Sequence, residues 1–300
     1  MLEHILVPLD GSPLAETALV PACTLARRFE TDLVLVSASA AAEVAEMGAY
    51  LTDLVERLSA EGFSVRAVLP PPPPAEGVSR EVTFLSSALV VMTTQKRAGL
   101  DVLLHPSVTW DLFTRTAAPI LACPGEEGAQ GRPPQQVPRV LTDQTTPILV
   151  PLNGSRLMEH VLMLAEGLAR LLGNPLVLVR AVEPVLAGSA WEGAATEWAL
   201  AESERYLKQQ QAELTRAGLQ VDINWALDLA PACILDSVQQ YQAGLIVMGS
   251  HWQGWVGRLA PGSVARSVLR QADVPVLLVR PGTLQAELPP VQDGEKRRTT

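Results

Sequence analysis

The chain has 300 residues, 48% of them hydrophobic, with a formal net charge of −9. That is enough apolar material for two ordinary cores, and the acidic balance argues against nucleic acid, whose phosphates need a basic face. No run reaches the about 18 apolar residues of a membrane span, and Met1-Leu-Glu-His opens into strand-like sequence rather than a signal peptide, so a cytoplasmic protein without a membrane partner is expected.

Ile5 to Asp10 is a short apolar run closed by Gly11-Ser12, and Pro13 stands where a helix would begin. Leu14, Ala18, Ala22 and Leu25 then recur at helical spacing, with Pro21 expected to kink or interrupt the helix. A strand at Leu33–Val36, a helix at Glu43–Ala60 and a strand at Val65–Leu69 follow. Pro70 to Pro74 predict a stiff extended link, and a weaker helix from Ala75 to Ser87 leads into the strand Ala88–Met92. Pro119–Ala122 is the fifth strand. The segment 125–145, rich in Pro, Gly and Gln, reads as a linker.

The pattern then restarts. Pro147-Ile-Leu-Val-Pro-Leu-Asn-Gly-Ser155 repeats His4-Ile-Leu-Val-Pro-Leu-Asp-Gly-Ser12 at an offset of 143 (151 − 8 for the shared proline). From Gly62 onward the offset is 156 (218 − 62), so the second copy carries a 13-residue insertion, placed in the helical region Trp191–Ala217. A repeat of this length is a duplicated domain rather than a solenoid. Each copy alternates apolar strands with helices, which calls for a five-stranded, mostly parallel sheet covered on both faces, with ligands at the carboxyl ends of the strands. The domains are 1–124 and 146–281, and the polar tail 282–300 is expected to be disordered.

In the second copy, Gly244–Met248 runs into Gly249-Ser-His-Trp-Gln-Gly254 and then Gly262-Ser263-Val264. Unpaired amides at such a helix start can hold a phosphate. The alternative is that the glycines only punctuate a loop and Ser263 only caps a helix. Arg258 and Arg266 flank the start of that helix and could reach a polyphosphate, or be solvated surface residues. The widely spaced Cys23, Cys123 and Cys233 read as small buried hydrophobes, with no metal site expected. Trp191 and Trp198, seven apart on one helical face, are expected to pack. His251 lies in the loop, but no nucleophile, base and orienter can be assembled, so no catalytic residue is assigned.

The two Ile-Leu-Val-Pro-Leu-Asp/Asn-Gly-Ser runs, Val-Met-Gly-Ser-His, Gly262-Ser263-Val264 and Ala272-Asp-Val-Pro-Val-Leu-Leu-Val-Arg280 resemble the universal stress protein family. The resemblance implies an α/β fold of two tandem Rossmann-like domains of the adenine-nucleotide alpha-hydrolase type. It also implies an ATP site, with or without Mg2+, in the second domain, at Pro151, Leu152, Asn153, Ala181, Met248, Gly249, Ser250, His251, Trp252, Gly254, Gly262, Ser263 and Val264. In the nucleotide-binding branch the motif is Gly-x-x-Gly, nine residues, then Gly-Ser/Thr. Here the second glycine is Trp252 and the acidic residue after the first strand is Asn153. The first copy keeps Asp10 but has Thr93, Lys96, Pro106 and Ser107 at the loop positions, so its site reads as degenerate. The family further implies that the two domains pair through their fifth strands, with a homodimer of chains left open. The expected function is a nucleotide-dependent signalling or protective module in the stress response, with at most slow, incidental ATP hydrolysis. The alternative is a nucleotide-free interaction scaffold.

Overall fold

The computed structural model describes residues 2–37, 44–70, 74–85, 88–95, 112–113, 115–125, 137–183, 191–249 and 262–280. The first half runs β1 (His4–Leu9), α1 (Pro13–Glu16), α2 (Leu19–Phe29), β2 (Asp32–Ser37), α3 (Val44–Ala60), β3 (Val65–Val68), α4 (Pro74–Phe84), β4 (Ala88–Gln95) and β5 (Ile120–Gly125). A short α5 (Arg139–Thr142) precedes the second half. That half consists of β6 (Ile148–Pro151), α6 (Arg156–Leu172), β7 (Leu176–Val182), α7 (Trp191–Arg216), β8 (Val221–Leu227), α8 (Ala230–Tyr241), β9 (Leu245–Gly249), α9 (Ser263–Gln271) and β10 (Val276–Val279).

All ten strands form one sheet in the order β3-β2-β1-β4-β5-β10-β9-β6-β7-β8. Within each half the pairings are parallel, and only the central β5–β10 seam is antiparallel, with Leu277 opposite Leu121. The expected pairing of the two domains through their fifth strands is thus observed within the chain. The strands are almost continuously apolar because helices cover both faces. α2, α3, α6 and α7 share one core layer, while α4, α8 and α9 pack on the other.

Pro21 acts as its chemistry requires. A proline ring clashes with the carbonyl four residues back, here Thr17. The helix duly breaks at Thr17–Ala18, and α2 restarts at Leu19 so that Pro21 falls in a first turn, where its missing amide costs nothing. The second copy has Leu164 at the matching position, and α6 runs 17 residues without interruption.

Two expectations need correction, those for Pro74 and Trp198. Within the segment read as a linker, β5 reaches Gly125 and residues 139–142 form α5, with Val140 buried. There the Asp143 carboxylate accepts from the Thr145 amide (2.9 Å) and hydroxyl (2.7 Å), and these bonds lower its pKa. Asn174 Nδ2 donates to the Asp143 and Thr146 carbonyls (2.9 and 2.8 Å). Pro74 begins α4 instead of ending an extended link; 71–73 and the tail 282–300 lie outside the described residues. Trp198 does not pack: it is 67% exposed, on the amino-terminal part of α7, which at 26 residues is nine longer than α3. Those nine residues add about 13 Å of helix, at the end nearest the carboxyl ends of the second half's strands. Among the described residues no helix is long and apolar enough to cross a membrane.

Candidate functional site

In each half the strand order reverses between the first and fourth strands, which leaves a crevice at their carboxyl ends. In the second half this is where β6 and β9 part. β6 is held to its end by the parallel ladder, which continues past it: the Leu152 amide donates to the Val179 carbonyl (2.8 Å). The chain then turns sharply. Asn153 Oδ1 accepts from the Ser155 amide (3.0 Å), and Gly154 takes φ +78°. A left-handed conformation there favours a residue without a Cβ.

A cavity of about 230 Å³ opens at this crevice. It is lined by Pro151, Leu152, Asn153, Ala181, Met248, Gly249, Gly262, Ser263 and Val264, all expected from the sequence. Four separate segments meet there. Ser250, His251, Trp252 and Gly254 lie outside the described residues. The lining also includes Met158, Val179, Ala230, Ile234 and Ala265, which the sequence reading missed. One of these was within reach of simple periodicity: Val179 shares a strand face with Ala181.

The helix begins at Ser263, as expected, but Ser263 is not its cap. Gly262, at φ +76°, is the N-cap of α9 and has no side chain with which to cap it. The first intrahelical bond runs from the Arg266 amide to the Gly262 carbonyl (2.9 Å). The amides of Ser263, Val264 and Ala265 therefore have no carbonyl one turn back. Among the described residues no lining side chain carries a formal charge. The local field is thus set by the amino end of α9, which favours an anion.

The neighbouring thiol is inert. Burial, and then the Asp228 carboxylate, push the Cys233 pKa up, which suppresses the thiolate. Cys23 is raised to about 11 and Cys123 to about 12, in both cases chiefly by burial. Among the described residues no three His, Cys, Asp or Glu side chains gather as a metal site. His160 is exposed on α6, and Arg266 lies on α9.

The first half differs at the equivalent strand end. Thr93 stands where the second copy has Gly249, and its hydroxyl is 2.9 Å from that of Thr17, in the turn after α1. Leu14 of α1 is buried beneath, and α1 packs against β4. Lys96, Pro106 and Ser107 lie outside the described residues.

A family model described as the universal stress protein family matches residues 1–124 and 145–280. Among solved structures, a universal stress protein from Archaeoglobus fulgidus DSM 4304 superposes with a TM-score of 0.70 at 16% identity, over 94% of this chain and 97% of the other. A protein of unknown function from Pseudomonas aeruginosa PAO1 gives 0.67 at 20% identity, over 93% of each chain. At these identities the likeness speaks for the fold. A universal stress protein from Archaeoglobus fulgidus solved in complex with dAMP covers 46% of this chain and 99% of its own, at 24% identity and a TM-score of 0.32. No curated protein matches the chain.

Proposed function

Since the chain belongs to the universal stress protein family, both halves matching the family model, we propose that its second half binds an adenine nucleotide, ATP or a close relative, in the crevice between β6 and β9. One observation carries the reading: nine residues from four separate segments meet around a single cavity bordered by the uncapped amino end of α9. The apolar walls suit a flat base, Asn153 keeps its amide hydrogens for a sugar hydroxyl, and the α9 amides suit a phosphate. The role is that of a nucleotide-dependent signalling or protective module, in which the ligand favours one conformation by mass action. In this reading any hydrolysis is slow and incidental.

The test is calorimetric titration of the full chain with ATP, AMP and dAMP. Ala230, half-buried at the first position of α8, lines the cavity, so Ala230→Trp fills it without disturbing a strand. The expected result is saturable binding to the unmodified chain and loss of at least about tenfold in affinity for Ala230→Trp, or about 1.4 kcal/mol. Absence of binding to the unmodified chain would sink the proposal and favour a nucleotide-free scaffold.

A further inference from the structure

β7 turns alternate side chains to opposite faces. Val179 and Ala181 face the cavity, so Arg180 between them points to the other face, toward α6 and α7. Its surroundings there are unusual for a guanidinium. On one side lies the Tyr206 ring of α7, with its centroid 5.1 Å from the guanidinium carbon. On the other lies Gly154. A Cβ built on that glycine would stand 3.2 Å from one terminal nitrogen, 3.3 Å from the other and 3.3 Å from the central carbon. Near-equal distances to three atoms of the plane mean that the plane meets the glycine face-on. Among the described residues Arg180 has no carboxylate ion pair.

We propose that Arg180 is a positioning residue for the site: stacked between the Tyr206 ring and Gly154, it holds the Asn153–Gly154–Ser155 turn in the shape that presents Asn153 to the cavity. The residue acts from behind the turn and does not touch the ligand. A planar, delocalised cation can lie flat on both a ring and a backbone, which a lysine ammonium cannot. The first half supplies the contrast. Offset 143 puts buried Ser37 at the position of Arg180. Offset 156 puts Tyr50 at that of Tyr206, where its hydroxyl donates to Glu16 Oε1 (3.0 Å). The guanidinium brace is therefore a feature of the second half, the half that holds the cavity described above.

The consequence for affinity rests on the nucleotide reading above, but the brace itself does not, so two measurements separate them. The first is amide hydrogen exchange in the full-length chain, comparing Arg180→Met and Arg180→Lys with the unmodified protein. Arg180→Met should speed exchange at the Ser155 amide, whose acceptor is Asn153 Oδ1, by about tenfold while leaving the Val150 amide in β6 unchanged. Arg180→Lys should fall near the Met variant, because charge without the plane does not stack. The second is ATP affinity. Arg180→Met should weaken it by about tenfold alone and by nothing further in an Asn153→Ala background, since a residue acting through Asn153 is fully coupled to it.

Unchanged Ser155 exchange overturns the proposal, as does an equal rise at Val150, which would mark general destabilisation. Additive losses of affinity would show a separate ligand contact and also overturn it. If the unmodified chain binds no nucleotide, the functional reading fails, and the exchange result alone still decides the brace.

Discussion

At single residues, burial and backbone geometry make sharp demands. The Cys123 thiol, buried in β5, has its pKa raised to about 12 from an ordinary 9.0. The folded state therefore holds its proton where the unfolded chain has lost it. The stabilisation this gives is complete below pH 9 and is lost as pH rises toward 12, at about 1.4 kcal/mol per pH unit. Alkaline unfolding followed by circular dichroism should show at least that slope, and Cys123→Ala should reduce it, the raised Cys23 and Cys233 thiols supplying the remainder. Gly154 makes the opposite kind of demand, on shape. Gly154→Ala would force a side chain into the left-handed region and against the Arg180 guanidinium, and should cost about 1–3 kcal/mol in denaturant titration.

Among the elements, the repeat makes its own controls. Pro21 and Leu164 occupy matched positions, and the helices differ as proline chemistry says they should. Leu164→Pro places the ring in the ninth position of α6, where it removes a hydrogen bond and clashes with the His160 carbonyl. The expected loss is about 3 kcal/mol or more, read as a lower denaturation midpoint. The converse change, Pro21→Leu, should cost far less, because α2 already starts after the break. Both helices, the strands and even the 13-residue insertion were legible in the sequence, because duplication displays each element twice and apolar periodicity is strong in a two-faced sheet. The cavity was legible where its lining lies on strand ends and glycines. Met158, Ala230, Ile234 and Ala265 were missed because helix residues reach the crevice through packing angles that no local pattern encodes. Arg180 was missed for a related reason: its partners, Gly154 and Tyr206, are 26 residues away on either side (180 − 154 and 206 − 180). The helix start at Ser263 was read correctly but its cap was not, since Gly262 and Ser263 are each acceptable caps by propensity and only the backbone angle decides.

For the whole molecule, the two halves behave as one body because they share a sheet. The seam is reinforced off the sheet by Arg28 of α2, whose Nη2 donates to the Leu171 and Leu172 carbonyls at the end of α6 (2.9 and 3.4 Å). Arg280 Nη2 donates to the Phe113 carbonyl (3.1 Å), from the second half back to the first. A cation at a helix carboxyl end also meets the favourable end of the dipole. Arg28→Ala should lower stability by about 1 kcal/mol and leave a single cooperative transition, measured by calorimetry. The antiparallel seam has a further result. Strands of the two halves point in opposite directions, so their carboxyl ends lie along opposite edges of the ten-stranded sheet. The strand ends of the first half, with the Thr17–Thr93 contact, are thus on the far side of the molecule from the cavity. On the proposed reading, the second half holds the one ligand site of the chain. Titration curves should be simple hyperbolas at one equivalent per chain, and any sigmoidal response would have to arise from association between chains.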